Sequence, residues 1–298
     1  MTLPNATVAR SMSPTPARAL ALVLSLALAA LAGCGGSEGA EGDTISVTVT
    51  RDFGTQDVAA TQDEPVPAAG GLARILARYP NPRGAQSIFV NGILADGPAS
   101  EIDVHGGDRV WLDQHAAGAA REIGAVVGSF PEPFLHGVEG KRLPVRVECD
   151  DPRADACAAV AEKLVALGVV AGRSVISRSA ADETVRILVA PWKRLRGREF
   201  EADSFDRGPA SSGVHARFDA AADRLQVLDP AGRVARTLGA GTGLIAATSE
   251  PGRRPVWFVT GTDDAGVAAA ARALDESVLH ERFALAISDD LPVAVPQP

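Results

Sequence analysis

The sequence predicts a protein of the α+β or α/β class, in which a small strand-rich domain precedes a mixed-sheet α/β domain. Short segments with alternating apolar and polar residues recur in the first half of the chain, as in half-buried strands. In the second half, apolar runs alternate with helical stripes, a pattern typical of β-α-β units. A proline-rich stretch at residues 129–143 separates the halves and predicts an extended interdomain linker.

The first 34 residues predict a secretion and lipidation signal. Two basic side chains, Arg10 and Arg18, precede the apolar run Ala19–Ala32, which is interrupted only by Ser25. This run has the length of a signal-peptide core and is short for a transmembrane helix, which needs about 20 apolar residues. Either Met1 or Met12 is compatible with the start of such a signal.

The apolar run ends at Leu31-Ala32-Gly33-Cys34, which resembles the lipobox of bacterial lipoproteins. The resemblance implies cleavage before Cys34 and acylation of its thiol, so that membrane lipid is a partner of the chain. The expected location is the outer face of the cell membrane, with the chain held by its lipid. Residues 35–43 are rich in glycine and acidic side chains and predict a flexible tether.

Charge and cysteine usage restrict the function further. The chain has 29 basic and 37 acidic side chains and a net charge of −8, which argues against nucleic acid as a partner, because that affinity comes from neutralised phosphates. Apart from Cys34, the cysteines are Cys149 and Cys157. Outside the cytoplasm such a pair predicts a disulfide, and its spacing fits neither a zinc site nor a thioredoxin motif.

The first folded domain is predicted at residues 44–128. Alternation of apolar and polar residues over 45–49 predicts a half-buried strand, and a short helix follows at residues 72–79, before Pro80. A strand at residues 87–90 leads into the tight turn Asn91-Gly92, and a Gly-Asp turn opens the strand Arg109–His115. Strands and one helix in this order around a small core predict a β-grasp-like domain.

The turn sequences carry a family resemblance. Val90-Asn91-Gly92 followed by Gly107-Asp108-Arg109-Val110-Trp111 resembles the β-grasp family related to the C-terminal domain of transcobalamin and intrinsic factor. The segments Gly128–Gly137 and Gly140–Arg142 are similar to actinobacterial lipoproteins that carry this domain and a second region. The resemblance covers most of the chain after Cys34. It implies a domain that closes over a corrinoid and, in bacteria, an association with energy-coupling-factor transporters for vitamins or metals.

These observations lead to the hypothesis of a non-enzymatic binding protein without a resident cofactor. Its small-molecule ligand is expected between the two domains, near residues 130–142 and the strand around Trp111, because flat ligands need apolar walls with a few placed polar groups. The candidate ligand-binding residues are Phe89, Asn91, Trp111, Asp113, His115, Phe130, Phe134, His136, Thr262 and Asp263.

The α/β domain is predicted at residues 144–288. It begins with a strand at 145–148, and Asp150-Asp151-Pro152 is expected to open a helix that Gly168 closes. Later strands are expected at 185–190, 213–218, 224–228 and 233–237, and residues 255–287 predict a β-α-β unit. Residues 289–298 are expected to form a loose tail.

Two segments offer alternatives for ligand chemistry. The loop Gly261–Gly266 joins a strand to a helix, where Thr262 could contact an anion or Asp263 a cation, but an ordinary helix N-cap accounts for the same residues. His105 and His115 could converge across a hairpin with Asp113 to hold a divalent metal, whereas no two histidines have helical spacing.

The sequence predicts no catalytic residues, because it contains neither a nucleophile elbow nor a catalytic cysteine motif. Two alternatives remain open at this stage. One is an envelope hydrolase that uses carboxylates such as Asp263 and Asp264. The other is a protein that docks onto the outer face of a transporter without binding a small molecule.

Overall fold

A computed structural model describes residues 44–79, 85–116, 118, 123–177, 183–250 and 253–297. The predicted signal with Cys34 and the predicted tether lie outside these ranges. All described residues belong to one compact unit, Ala40–Pro298. The fold is mixed α/β with three sheets and short helices, consistent with the α+β class. In the described ranges, no helix is both long enough and apolar enough to cross a membrane.

The described elements comprise strands and helices numbered in chain order. The strands are β1 (Thr44–Arg51), β2 (Gln56–Pro65), β3 (Ala85–Val90), β4 (Ile93–Leu94), β5 (Arg109–His115), β6 (Val145–Cys149), β7 (Ala171–Val175), β8 (Val185–Pro191), β9 (Ala216–Phe218), β10 (Leu225–Leu228), β11 (Val234–Leu238), β12 (Gly243–Thr248), β13 (Val256–Gly261), β14 (Ala284–Ser288) and β15 (Leu291–Val295). The helices are α1 (Gly71–Leu76), α2 (Asp155–Ala166), α3 (Trp192–Leu195), α4 (Phe200–Asp206), α5 (Pro209–Ser212), α6 (Asp264–Ala273) and α7 (Glu276–Leu279).

The first sheet has five strands in the order β2-β1-β5-β3-β4. Strand β1 lies between an antiparallel β2 and a parallel β5. The predicted alternation is confirmed, because Ile45, Val47 and Val49 are buried in one core with the apolar face of α1. Helix α1 ends at Leu76, three residues earlier than the sequence predicts. Strand β2 completes a hairpin with β1 before the helix, and its residues are mostly polar and exposed.

The second sheet has seven strands in the order β15-β14-β12-β13-β8-β6-β7. Its parallel half, β13-β8-β6-β7, joins an antiparallel half that ends at β15. The apolar runs of β8 and β13 are buried along nearly their whole length, since one face packs on α2 and α6 and the other on a separate core. That separate core is covered by the three-stranded sheet β11-β10-β9 and by α3 and α4.

The predicted disulfide is confirmed: Cys149, at the end of β6, is bonded to Cys157 in α2, with Cα atoms 6.1 Å apart. The predicted start of this helix at residues 150–152 is wrong. The backbone carbonyl and side chain of Asp151 accept hydrogen bonds from the next turn, at Ala154 and Arg153 respectively, so that α2 begins only at Asp155. Gly168 follows the helix with φ +84°, as a C-terminal glycine should.

Two further expectations need correction. Residues 289–298 are not a loose tail, because β15 pairs antiparallel with β14 and buries Val293 and Val295 against the core. Pairing with β15 gives hydrogen-bond partners to the backbone groups along the outer edge of β14. A loose tail would leave those groups without strand partners. Residues 129–143 are not an extended spacer either, since turns dominate the segment and Phe130 and Phe134 are buried in the core of the seven-stranded sheet.

Candidate functional site

An aromatic seam joins the five-stranded sheet to the seven-stranded sheet. It consists of Phe53, Phe89 and Trp111 from the first sheet and Phe283, which directly precedes β14. The centroid of the Phe283 ring lies 5.0 Å from that of Trp111, 5.7 Å from that of Phe89 and 5.3 Å from that of Phe53. The predicted site residues Phe89 and Trp111 are therefore together, but each is buried against other aromatic rings of the chain.

A buried carboxyl group lies beneath the seam. Asp113 Oδ1 accepts hydrogen bonds from the Thr50 hydroxyl at 2.5 Å and from the Gly54 amide at 3.0 Å, and Oδ2 accepts one from the Phe53 amide at 3.1 Å. The indole Nε1 of Trp111 donates to Thr50 Oγ1 at 2.8 Å, which links the seam to this carboxyl. Burial raises the pKa of Asp113, while the donors partly oppose that rise. These contacts hold the turn after β1 in place.

Two imidazole rings contact the seam at Phe53. The ring centroid of His115 lies 4.5 Å from that of Phe53, and the centroid of His215 lies 5.6 Å from it. His215 comes from the segment before β9 and was not a predicted site residue. Burial lowers its pKa to about 4, and no described residue hydrogen-bonds to its buried Nε2. The neutral ring therefore has an unused nitrogen inside the protein at neutral pH.

His115 forms a hydroxyl–imidazole pair with Ser87. Its Nε2 lies 3.1 Å from Ser87 Oγ, and its Nδ1 lies 2.9 Å from the carbonyl oxygen of Ala116. If Nδ1 carries the proton and donates to that carbonyl, Nε2 is left to accept from the serine hydroxyl. This is the geometry in which an imidazole activates a hydroxyl group as a general base.

Asn91 stabilises the turn that the sequence predicts. It adopts the left-handed conformation, with φ +53°. Its side-chain nitrogen donates to Asp108 at 2.7 Å and to the Gly137 carbonyl at 3.0 Å, while its oxygen accepts from the Arg109 amide at 2.9 Å. All of these partners belong to the protein, and the side chain is buried. The side chain of Asn91 thus connects the turn after β3 to residues 108, 109 and 137.

The predicted residues of the 129–143 segment pack on the seven-stranded sheet. The ring of Phe134 lies 5.0 Å and that of Phe130 6.1 Å from the ring of Trp257, measured between centroids. His136 is partly exposed, and its Nδ1 and backbone amide contact the Glu132 carboxyl at 2.5 and 2.9 Å. The two phenylalanines therefore belong to a different hydrophobic core from the aromatic seam. Of the three predicted residues in this segment, His136 is the one that is partly exposed to solvent.

The loop before α6 has the geometry of a helix cap. Asp263 is the N-cap residue and accepts a hydrogen bond from the Gly266 amide at 2.8 Å. Its second oxygen accepts from the Gly241 amide at 2.8 Å, which ties the loop to the turn before β12. Thr262 is buried, and its amide donates to the Thr242 carbonyl at 2.9 Å. This capping geometry is the alternative that the sequence already favoured.

The metal site considered at His105, His115 and Asp113 is not formed. His105 precedes β5 and His115 ends it, so an extended strand of roughly 20 Å separates them. No hairpin folds them together, because β5 runs straight between β1 and β3. Within the described part of the chain, no three His, Cys, Asp or Glu side chains are grouped so as to hold a metal ion.

One buried ionic cluster was missed by sequence reasoning. The guanidinium of Arg186, on β8, lies 2.7 Å from a carboxyl oxygen of Glu148 and 2.9 Å from one of Glu199. All three side chains are at most 8% exposed, and burial raises the pKa of Glu199. The available signal was one arginine inside the apolar run Val185–Ala190, since a charge buried in a strand requires a partner.

A shallow cleft lies beside this cluster. It connects to the cluster through Glu201, whose carboxyl lies 3.9 Å from the Arg186 guanidinium. Its lining mixes carboxyl, hydroxyl and guanidinium groups: Glu201, Ser204, Thr248, Ser249, Glu250, Arg253 and Arg254. None of the predicted site residues lines it.

Exposed apolar side chains lie at the β7 end of the seven-stranded sheet. Strand β7 is the last strand there, and α2 packs beside it. Four large apolar side chains within eleven residues are exposed to solvent: Val165, Leu167, Val170 and Val175. The most open of them is Val170, which is 91% exposed. We call these four residues together with β7 the β7 edge.

No protein-family model and no curated protein sequence matches this chain.

Proposed function

We propose that this protein is a non-enzymatic binding protein anchored by lipid at the outer face of the cell membrane. The lipobox-like sequence Leu31–Cys34 supports the anchor, through which acylated Cys34 would contact membrane lipid. The bond between Cys149 and Cys157 supports the location, because structural disulfides form and persist outside the cytoplasm.

We infer that the five-stranded sheet is a β-grasp domain of the kind expected from the family resemblance. The hairpin β1-β2, helix α1 and strands β3 to β5 follow one another in chain order. The parallel pairing of β1 with β5 at the centre of the order β2-β1-β5-β3-β4 supports this inference. Helix α1 packs on the face of this sheet that carries Ile45 and Val47.

Docking of a partner protein is the mode of binding that the geometry supports best. The observation that carries this choice is the β7 edge, where four exposed apolar side chains lie within eleven residues beside a strand that pairs on one side only among the described strands. The aromatic seam leaves little ring surface for a flat ligand, because the rings of Trp111, Phe89 and Phe283 already pack on one another. One partner of this class is a transporter in the cell membrane, as the resemblance implies. The protein would contact it from the outer face of that membrane.

Capture of a corrinoid or metal ion is the second candidate. It is favoured by the two imidazoles of His115 and His215, which meet at Phe53, and by the unused Nε2 of His215. Imidazole is a common ligand of transition metals. In this mode the ligand would enter at the seam, and Trp111→Ala with His136→Ala would test the placement expected from the sequence.

Two measurements on the full-length acylated protein separate these modes. A photo-reactive residue in place of Val170 should crosslink to an envelope protein in intact cells, whereas one in place of Val234, an exposed valine on β11, should not. A thermal-shift panel with corrinoids, Co²⁺, Ni²⁺, Zn²⁺ and heme should show no selective stabilisation. A ligand at a hundred times its Kd adds about 2.7 kcal/mol, so a selective rise of about 5–10 °C would favour capture instead.

An enzymatic function would show itself at Ser87. Turnover of an ester substrate that is abolished by Ser87→Ala and by His115→Ala would contradict the non-enzymatic proposal, because these two side chains form the hydroxyl–imidazole pair. Asp263→Asn tests the carboxylate alternative, although both oxygens of Asp263 already accept backbone hydrogen bonds.

A further inference from the structure

The backbone of β7 is open to a further strand. Among the described strands only β6 pairs with it, in parallel, with Val145 opposite Ala171 and Cys149 opposite Val175. The amide of Ile176 donates to the carbonyl of Cys149 at 3.1 Å, which shows which residues face β6. Because successive residues of a strand direct their backbone groups to opposite neighbours, those of Ala171, Arg173 and Val175 face the open side.

The side chains of the same three residues share one face of the sheet. Residues paired in register point to the same side, and their partners Val145, Val147 and Cys149 all face the core that contains α2. Arg173 is consistent with this, since its guanidinium contacts the Pro152 carbonyl, just before α2, at 3.2 Å. An added strand would therefore meet a small apolar side chain, a guanidinium and an exposed valine in that order.

The one charged side chain of β7 itself is basic, whereas the protein carries a net charge of −8. Arg173 is exposed, and no carboxyl of the described residues lies within ion-pair distance of its guanidinium. It contrasts with Arg194, which contacts Asp150 at 2.6 Å. An acidic side chain of a partner would complement it.

We propose that β7 binds an extended segment of a partner protein as an eighth strand, with the side-chain pattern apolar-x-acidic-x-apolar. The acidic side chain would lie beside Arg173, and the apolar ones beside Ala171 and beside Val175. Strand addition uses backbone hydrogen bonds for affinity and alternate side chains for specificity. This proposal rests on the proposed docking function and adds the chemistry of the partner.

Two labelled nine-residue peptides test the pattern by fluorescence anisotropy with the full-length protein in detergent. The first, Thr-Thr-Val-Thr-Glu-Thr-Val-Thr-Thr, reads the same in both directions, so that it suits parallel and antiparallel addition alike. The second has lysine in place of the glutamate. We expect the acidic peptide to bind about tenfold more tightly than the basic one, because one well-placed charge contact commonly has that effect.

Variants of the chain supply the controls. Arg173→Glu should reverse the preference between the peptides, while Arg217→Glu, at an exposed arginine on β9, should leave it unchanged. Val175→Pro removes an amide that faces the open side, so it should abolish binding of the acidic peptide. Its thermal midpoint, measured in parallel, should stay within a few degrees of wild type, since proline is tolerated at strand edges.

Each contrary result has a distinct meaning. Equal affinity for both peptides, or no effect of Arg173→Glu, overturns strand addition. If crosslinking at Val170 still succeeds, docking stands and only the chemistry of the partner is wrong. A dimer seen by light scattering that Val175→Pro dissociates would also overturn the proposal, because the edge would then belong to a second copy of the chain.

Discussion

The side chain of Asp57 acts on the carboxyl group of Glu281 and raises its pKa, although 224 positions separate the two residues in the chain. Asp57 lies on β2, and Glu281 lies between α7 and β14, so the pair connects the two large sheets. Burial first, and then the hydrogen bond and charge of Asp57, raise the pKa of Glu281 to about 7. Glu281 therefore keeps its proton to a higher pH than an exposed glutamate does.

Glu281→Gln should flatten part of the dependence of stability on pH. The folded protein keeps a proton on Glu281 up to pH about 7, whereas the unfolded chain releases it near the ordinary glutamate pKa of 4.5. The stabilising contribution is therefore complete below pH about 4.5 and is lost as the pH rises to about 7. We expect a loss of roughly 2 kcal/mol across this window, after allowance for solvent screening.

Denaturant unfolding at pH 4.5, 6 and 7.5 measures this effect as the difference between variant and wild type. Glu101→Gln, at an exposed carboxyl in the turn after β4, is the matched control and should leave the wild-type profile unchanged. A Glu281→Gln profile parallel to that of wild type would show that the proton on Glu281 does not contribute to stability.

Gly54→Ala should destabilise the contact between the sheets. Gly54 has φ +73°, and a Cβ atom there would lie 2.0 Å from the carbonyl oxygen of Glu281. Backbone strain and the steric clash together should reduce the free energy of unfolding by roughly 3 kcal/mol. Gly239→Ala is the control, because a Cβ atom at Gly239 meets nothing within 4 Å. Equal thermal midpoints for the two variants would contradict this close approach.

Arg186→Met should be among the most damaging single substitutions in the chain. It leaves the carboxyl groups of Glu148 and Glu199 buried without their cationic partner. Loss of one member of a buried ionic cluster commonly costs about 3–5 kcal/mol. Arg233→Met removes an exposed, solvent-screened ion pair with Asp229 and should change the free energy of unfolding far less. Urea unfolding of both variants distinguishes the buried cluster from the surface pair.

Reduction of the bond between Cys149 and Cys157 should lower the thermal midpoint. The cysteines are eight positions apart, so the bond closes a short loop. The chain-entropy model gives about 2.5 kcal/mol for a loop of this length. Calorimetry with and without dithiothreitol measures the change. The double variant Cys149→Ala with Cys157→Ala should melt at the lower midpoint in both conditions, and a response of that variant to the reductant would point to another cause.

Several elements could be predicted because their signal is local. The alternation at Ile45–Val49, the apolar runs of β8 and β13, and the cap at Asp263 each depend on neighbours within one element. Strand β15 lacked such a signal, since its stability comes from pairing with β14 rather than from its own pattern. The start of α2 was misplaced because Asp151 closes a separate turn before the helix.

The candidate site was predicted in part for the same reason. Trp111, Asp113 and His115 lie on one strand at alternate positions, so the sequence alone puts them on one face. The sequence does not show that Phe283, from a distant part of the chain, packs on Trp111, or that His215 meets Phe53 beside His115. Those contacts depend on how the two sheets meet.

The sequence by itself determined the mixed α/β class, most of the strands and the cysteine pair. Each of these follows from composition or from periodicity within a few residues, whereas the lipid anchor stays a prediction from the lipobox resemblance. Only the tertiary structure decided that the predicted aromatic residues fill internal seams, that Arg186 finds two carboxyl partners, and that β7 pairs with β6 alone among the described strands. The physical reason is that burial and pairing of these groups depend on contacts between residues far apart in the chain, which local sequence patterns do not encode.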